Sequence, residues 1–127
     1  LRDYDIKLII NCTKNISFHP KYLDKKIRVN IDDKDSTNIA IENKKMYHCL
    51  IDLTNTVHNY LQKNQAILVH CYAGVQRSAS VVAAYLIKYG KIDYQTAVKY
   101  IQSKRIKCFN PSINFGPALL RYEASCH

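Results

Sequence analysis

Ala66-Ile67-Leu68-Val69-His70-Cys71-Tyr72-Ala73-Gly74-Val75-Gln76-Arg77-Ser78 is the most informative stretch of this 127-residue chain. Its first four residues form a compact apolar run, the pattern of a strand that leads straight into His70-Cys71. Beyond Gly74, the spacing of Val81, Val82, Tyr85 and Leu86 predicts a helix over Arg77–Tyr89. Between them lies a short loop with Cys71 at its start and Arg77 six positions later. A Cys and an Arg at that spacing are a common coincidence, and singly they read as a small buried residue and a surface helix start. Together with His70 before, Gly74 within, Ser78 after, and the strand–loop–helix context, they form a specific combination.

Such a loop is suited to an anion. Successive backbone N–H groups point inward, Gly74 permits the backbone geometry, and the following helix contributes its unpaired N–H groups and positive dipole end. Arg77 brings a planar, always-charged fork that holds two oxygens at once. The same positive surroundings favour the thiolate of Cys71, the nucleophilic form. Ser78 is placed to donate a hydrogen bond to that sulfur and so help it leave.

Upstream, Ile6-Lys7-Leu8-Ile9-Ile10 reads as a buried strand, and Lys25–Ile31 alternates as a half-buried one through Ile27, Val29 and Ile31. Asp32 to Thr37 is polar and reads as a loop. Met46, Leu50, Leu53, Val57, Tyr60 and Leu61 recur at helical steps until Asn64-Gln65. Downstream, Gly90 stands where a helix end accepts left-handed backbone. Asp93 caps a further helix with Ala97, Val98 and Ile101 on its apolar face. A loop over Arg105–Pro111 precedes a last short helix near Ser112–Ala124. Strands alternating with helices predict an α/β fold with a mostly parallel central sheet flanked by helices. No internal repeat or linker interrupts the chain, so residues 1–127 read as one domain.

Composition narrows the function classes. Apolar residues make up 47%, enough for a core and too many for a disordered tail. No apolar run is long enough to span a membrane, and the start lacks a signal-peptide layout. Cys12, Cys49, Cys71, Cys108 and Cys126 are dispersed and odd in number, which argues against a disulfide framework or a zinc site and for a reducing, cytoplasmic or nuclear compartment. The sequons at Asn11 and Asn15 read as chance matches. Nineteen Lys and Arg against ten Asp and Glu give a net charge of +9. The basic residues are scattered, so the charge reads as a solvated surface attractive to anionic partners and not as a nucleic-acid patch. The Lys, Asn, Ile and Tyr content suits an AT-rich genome, such as that of a large DNA virus or a protist.

The loop resembles the signature of the cysteine-dependent protein tyrosine phosphatases, and His-Cys-Tyr-Ala-Gly-Val-Gln-Arg-Ser-Ala-Ser is most similar to the dual-specificity branch. The resemblance extends to the strand entering Asn11-Cys12-Thr13, the helix around Ala84-Tyr85-Leu86-Ile87, and the closing Pro111–Glu123 segment. It implies a small single-domain dual-specificity-phosphatase-like fold, N-terminally minimal, because relatives have already made an opening strand before this start. The implied reaction is metal-independent, cofactor-free hydrolysis of phosphotyrosine and phosphoserine/threonine in a phosphorylated protein, through a phosphocysteine on Cys71. Residues 72–77 (Tyr72, Ala73, Gly74, Val75, Gln76 and Arg77) would hold the phosphoryl group, and His70 and Ser112 would support the loop. Phosphate release also needs an acid, then a base. Val29-Asn30-Ile31-Asp32-Asp33 lines up with the family's acid strand and puts Asp33 on the acid position. Asp32 and Asp35 stay open, because the segment to Cys71 looks longer than in compact relatives, with Ile41–Lys45 as the insertion. By themselves these aspartates read as solvated loop charges, and Tyr72 is equally a wall of the mouth or plain packing.

Ser112 stands where relatives carry an Asn that supports the loop. No tyrosine-bearing recognition loop is evident, which points to a shallow pocket and dual specificity. Lysines between Cys and Arg, as in phosphoinositide-directed loops, and the His-Gly and Asn-Arg-Thr of RNA-directed ones are missing. A non-catalytic phosphate-binding module is the alternative from another class.

Overall fold

The computed structural model describes residues 6–13, 16–18, 25–31, 39–71, 76–110 and 112–126. Strands β1 (Ile6–Asn11) and β2 (Lys25–Arg28) precede helix α1 (Ile39–Gln62), and strand β3 (Ala66–His70) is followed by three helices, α2 (Arg77–Tyr89), α3 (Tyr94–Lys104) and α4 (Gly116–Cys126). The sheet is parallel throughout, in the order β2-β1-β3, with Asn11 opposite Arg28 on one side and His70 on the other. Parallel strands need crossovers, which is why α1 carries the chain from β2 past β1 to β3.

The two-residue period of a strand sorts side chains by face. Leu8, Ile10 and, just past β1, Cys12 form one inward row, flanked by Ile27 of β2 with Val29 and Ile31 beyond it, and by Ile67 and Val69 of β3 with Cys71 beyond it. These rows meet Met46, Leu50 and Leu53 of α1, Val81, Ala84 and Ile87 of α2, and Leu119 and Tyr122 of α4 in one core. Each inward row therefore ends, at the carboxyl edge of the sheet, in Cys12, Ile31 or Cys71. That edge is where ligands of open α/β sheets sit.

Several expectations change. The apolar alternation of Lys25–Ile31 gives ladder pairing only to Arg28, although Val29 still donates to the carbonyl of Asn11 at 2.8 Å. Ile41–Lys45, expected as a loop insertion, lies in the first turns of α1, where Glu42 and Asn43 are buried. The last helix starts at Gly116 instead of Ser112. Asp93 caps α3 as expected, accepting from the Thr96 N–H at 2.7 Å. Gly90 has φ −82°, and the left-handed residue is Lys91, at φ 56°. Glycine is needed at 90 for a different reason: a Cβ there would stand 2.6 Å from the carbonyl oxygen of Leu86. Among the described residues, no helix is long and apolar enough to cross a membrane.

Candidate active site

The carboxyl edge of the sheet is shaped first by Asn11. Its Oδ1 accepts from the N–H of Thr13 (3.1 Å) and from Thr13 Oγ1 (2.6 Å), and its Nδ2 donates to the carbonyl of Ile16 (2.8 Å). This Asx-type turn bends the chain away as β1 ends. Arg28 reinforces it from the neighbouring strand, donating to the carbonyls of Thr13 (2.7 Å) and Ile16 (2.9 Å). Asn11 is fully buried and committed to these bonds, so its sequon is no glycosylation acceptor in the folded chain. Asn15 lies outside the described residues.

One strand over, Cys12 N–H donates to the carbonyl of His70 at 2.7 Å, which extends the parallel ladder one step past β1. Cys12 and Cys71 thereby stand side by side at the ends of the two inward rows, both buried. Burial, and then the neighbouring Cys71, push the Cys12 thiol up to about 12, with Arg77 opposing. Cys12 is a packed neutral thiol behind Cys71. His70 is half-buried, and burial followed by the charge of Arg28 lowers its pKa, which favours the neutral imidazole.

Cys71 meets the start of α2. The N–H of Ser78 donates to Cys71 Sγ at 3.4 Å, and the thiol donates to Ser78 Oγ at 3.3 Å. The sulfur thus sits on the first turn of a helix, where backbone N–H groups lack intrahelical partners and the dipole end is positive. Once the thiol is ionised, the hydroxyl reverses and becomes the donor. Arg77, also in that first turn and 5% exposed, donates through Nη1 to the carbonyl of Ile31 at 2.9 Å.

Gln76 precedes α2 as its N-cap, yet its side chain makes no cap bond to its own helix. Its Nε2 donates to the carbonyl of Ser112 (2.7 Å), and its Oε1 accepts from the N–H of Asn114 (3.0 Å). Its side chain is thereby committed to that segment. Ser112 meets the loop through its carbonyl, while its hydroxyl donates to Asn114 Oδ1 at 3.1 Å.

The structure thus brings Cys71, Gln76, Arg77, Ser78, His70 and Ser112 to one edge. Tyr72, Ala73, Gly74 and Val75 lie outside the described residues, as do Asp32, Asp33, Asp35 and Pro111. Among the described residues, no group of three or more His, Cys, Asp or Glu could hold a metal ion. Arg28 and Asn43 are the site's unforeseen contributors. Arg28 sits in an alternating exposed pattern, and Asn43 lies in the stretch assigned to an insertion, so neither carries a local signal. His48 is exposed, and His58 stacks on Tyr89 at 3.8 Å; His19 is outside the described residues. Cys108 is buried in the core, and Cys49 and Cys126 are half-buried against it.

The family model described as "Dual specificity phosphatase, catalytic domain" matches residues 1–125. A protein of Invertebrate iridescent virus 6, named as a tyrosine phosphatase (123R), is 31% identical over 121 residues, which span 95% of this chain and 78% of that one. Other curated relatives are matched over as little as 7% of their length. The structure of the human tyrosine phosphatase-like serine/threonine/tyrosine-interacting protein superimposes with a TM-score of 0.81 at 26% identity, covering 98% of this chain and 80% of that one. Human DUSP28 gives 0.79 at 21% identity over 98% of this chain and 81% of its own, a likeness of fold.

Proposed function

The chain belongs to the dual specificity phosphatase family, matching its catalytic-domain model over residues 1–125, and from that premise we propose that it hydrolyses phosphotyrosine and phosphoserine/threonine in proteins through a phosphocysteine on Cys71, as one catalytic domain. The observation that carries the reading is the double contact of Ser78 with Cys71 Sγ, by N–H at 3.4 Å and hydroxyl at 3.3 Å.

In the first step the Cys71 thiolate attacks phosphorus in line. The S–P bond forms as the P–O bond to the side chain breaks, and Asp33 gives its proton to the departing oxygen. The equatorial oxygens are held by Arg77 and by the backbone N–H groups of residues 72–77, where the charge develops. In the second step water attacks the phosphocysteine while Asp33 takes its proton. The S–P electrons return to sulfur, which the Ser78 hydroxyl and N–H stabilise as a leaving group. Asp33 is preferred over Asp32 and Asp35 because the resemblance puts it on the acid position. The carbonyl that Arg77 holds belongs to Ile31, just before that segment. No step routes through a metal ion or cofactor.

Hydrolysis of phosphotyrosine and phosphothreonine peptides in the presence of chelator, by the wild type and by Cys71→Ser, tests this. Turnover by the wild type alone supports it. Phosphopeptide binding without turnover replaces it with a binding module.

A further inference from the structure

Asn114 is held from two sides by buried primary amides. Its N–H donates to Gln76 Oε1 (3.0 Å), while Gln76 Nε2 donates to the carbonyl two residues earlier, at Ser112 (2.7 Å). Its own carbonyl accepts from Asn43 Nδ2 (3.0 Å), and Asn43 Oδ1 accepts from the N–H of Ala118 (2.9 Å) in the first turn of α4. Gln76 is 4% exposed and Asn43 7%. Burying an amide costs free energy unless both of its ends are bonded, and here both ends of each are. None of these four bonds belongs to a helix or sheet ladder.

The two amides grip different sides of the site. Gln76 is the residue before Arg77, so holding its side chain holds the backbone from which the guanidinium extends. Asn43 lies in the first turns of α1 and also donates to the carbonyl of Ile39 (3.1 Å), the first residue of that helix and the one that follows segment 32–38. A pinned Asn114 therefore links the end of the phosphate loop to the start of α1.

We propose that Gln76 and Asn43 are positioning residues: a double amide clamp on Asn114 that sets the loop end, and with it Arg77, relative to the start of α1. Neither touches the phosphoryl group through its side chain. The proposal rests on the phosphatase reading for its effect on rate, because a displacement of about 1 Å can cost on the order of a hundredfold in catalysis. The clamp's geometry stands without that reading.

The test uses Gln76→Glu, which puts an oxygen in place of the donor facing the Ser112 carbonyl, and Asn43→Asp, which does the same facing Asn114. Gln76→Met, of the same length and without a buried charge, covers the case in which Gln76→Glu does not fold. kcat and KM on an aryl phosphate, the melting temperature and the affinity for inorganic phosphate are measured for each. Each variant is expected to lose about tenfold in kcat with KM changed much less. The double variant should lose less than the product of the two single losses, since both act through Asn114. The Gln76→Glu defect should also shrink as pH falls, because a protonated carboxyl donates again to Ser112. kcat within twofold of the wild type in the folded Gln76 and Asn43 variants would overturn the clamp. If the wild type itself turns over no phosphate ester, the phosphatase reading fails and the clamp is judged on inorganic phosphate. About tenfold weaker binding in the variants then supports it, and equal binding overturns it.

Discussion

Arg77 Nη1 donates to the backbone carbonyl of Ile31 at 2.9 Å, so the guanidinium at the start of α2 is anchored to the chain just before the aspartate-bearing segment 32–38. A planar guanidinium fork can bind two oxygens at once, whereas a lysine ammonium is a single point charge. Arg77→Lys keeps the charge and loses the fork. A fall of about 10²–10³ in kcat/KM is expected. Steady-state kinetics on a phosphotyrosine peptide check this, and activity within a few-fold of the wild type would mean that charge alone suffices.

Ser78 meets Cys71 with its hydroxyl as well as its backbone N–H. Substitution by alanine removes only the hydroxyl and slows the return of electrons to sulfur more than the attack. With a good aryl leaving group, Ser78→Ala should show a rapid burst of aryl product followed by turnover about ten- to a hundredfold slower than in the wild type. Stopped-flow absorbance measures both phases.

Cys12 and Cys71 are neighbours of unequal exposure to chemistry. Burial pushes the Cys12 thiol up to about 12, so it stays protonated and inert at neutral pH. Brief treatment with iodoacetate at pH 7 should label Cys71 and leave Cys12 unlabelled. Peptide mass mapping distinguishes them, and labelling at Cys12 would contradict the packing described.

The same group contributes to the alkaline limit of stability, alongside Cys49 and Cys108, whose thiols burial also raises. An unfolded Cys12 would ionise from about its ordinary value of 9.0, while the folded one keeps its proton to about 12. The unfolded chain therefore binds fewer protons across that window, and stability falls as pH rises through it. His70 acts on the acid side. Its folded pKa lies below 6.5, so the unfolded chain binds more protons there, and stability falls as pH drops through 6.5. Urea midpoints measured from pH 5 to 10.5 should pass through a plateau between these limits. Cys12→Ala should make the alkaline limb shallower without abolishing it, since Cys49 and Cys108 still contribute.

Tyr122 of α4 and Thr54 of α1 share a buried hydrogen bond at 2.7 Å, and Thr54 Oγ1 also lies 2.8 Å from the carbonyl of Leu50. Thr54→Val keeps the shape and removes this buried hydrogen bond of the tyrosine hydroxyl, at a cost of about 1 kcal/mol. Chemical denaturation with an unchanged slope measures it.

Sequence made the chemistry legible where the signal is local. The apolar run into His70-Cys71 and the helical period after Arg77 each lie within one element, and the structure has both elements with the expected boundary at Arg77. The Asp93 cap is local in the same way. What escaped depends on contacts between distant segments. Asn43 meets Asn114 and Ala118 across 71 and 75 positions, and Gln76 reaches Asn114 across 38. No periodicity marks such pairs. Gly90 misled for a related reason: glycine there answers to the nearby Leu86 carbonyl, and the left-handed turn falls to Lys91.

The central claim is that Cys71 carries the phosphoryl group. Asp33→Asn should slow the second step enough for the intermediate to accumulate on an activated aryl phosphate. Acid quench within the burst, followed by intact and peptide mass spectrometry, should find one added phosphoryl group on the peptide bearing Cys71. Cys71→Ser should give neither that adduct nor turnover. Turnover that persists in Cys71→Ser, or a phosphoryl group found on another residue, would contradict the account.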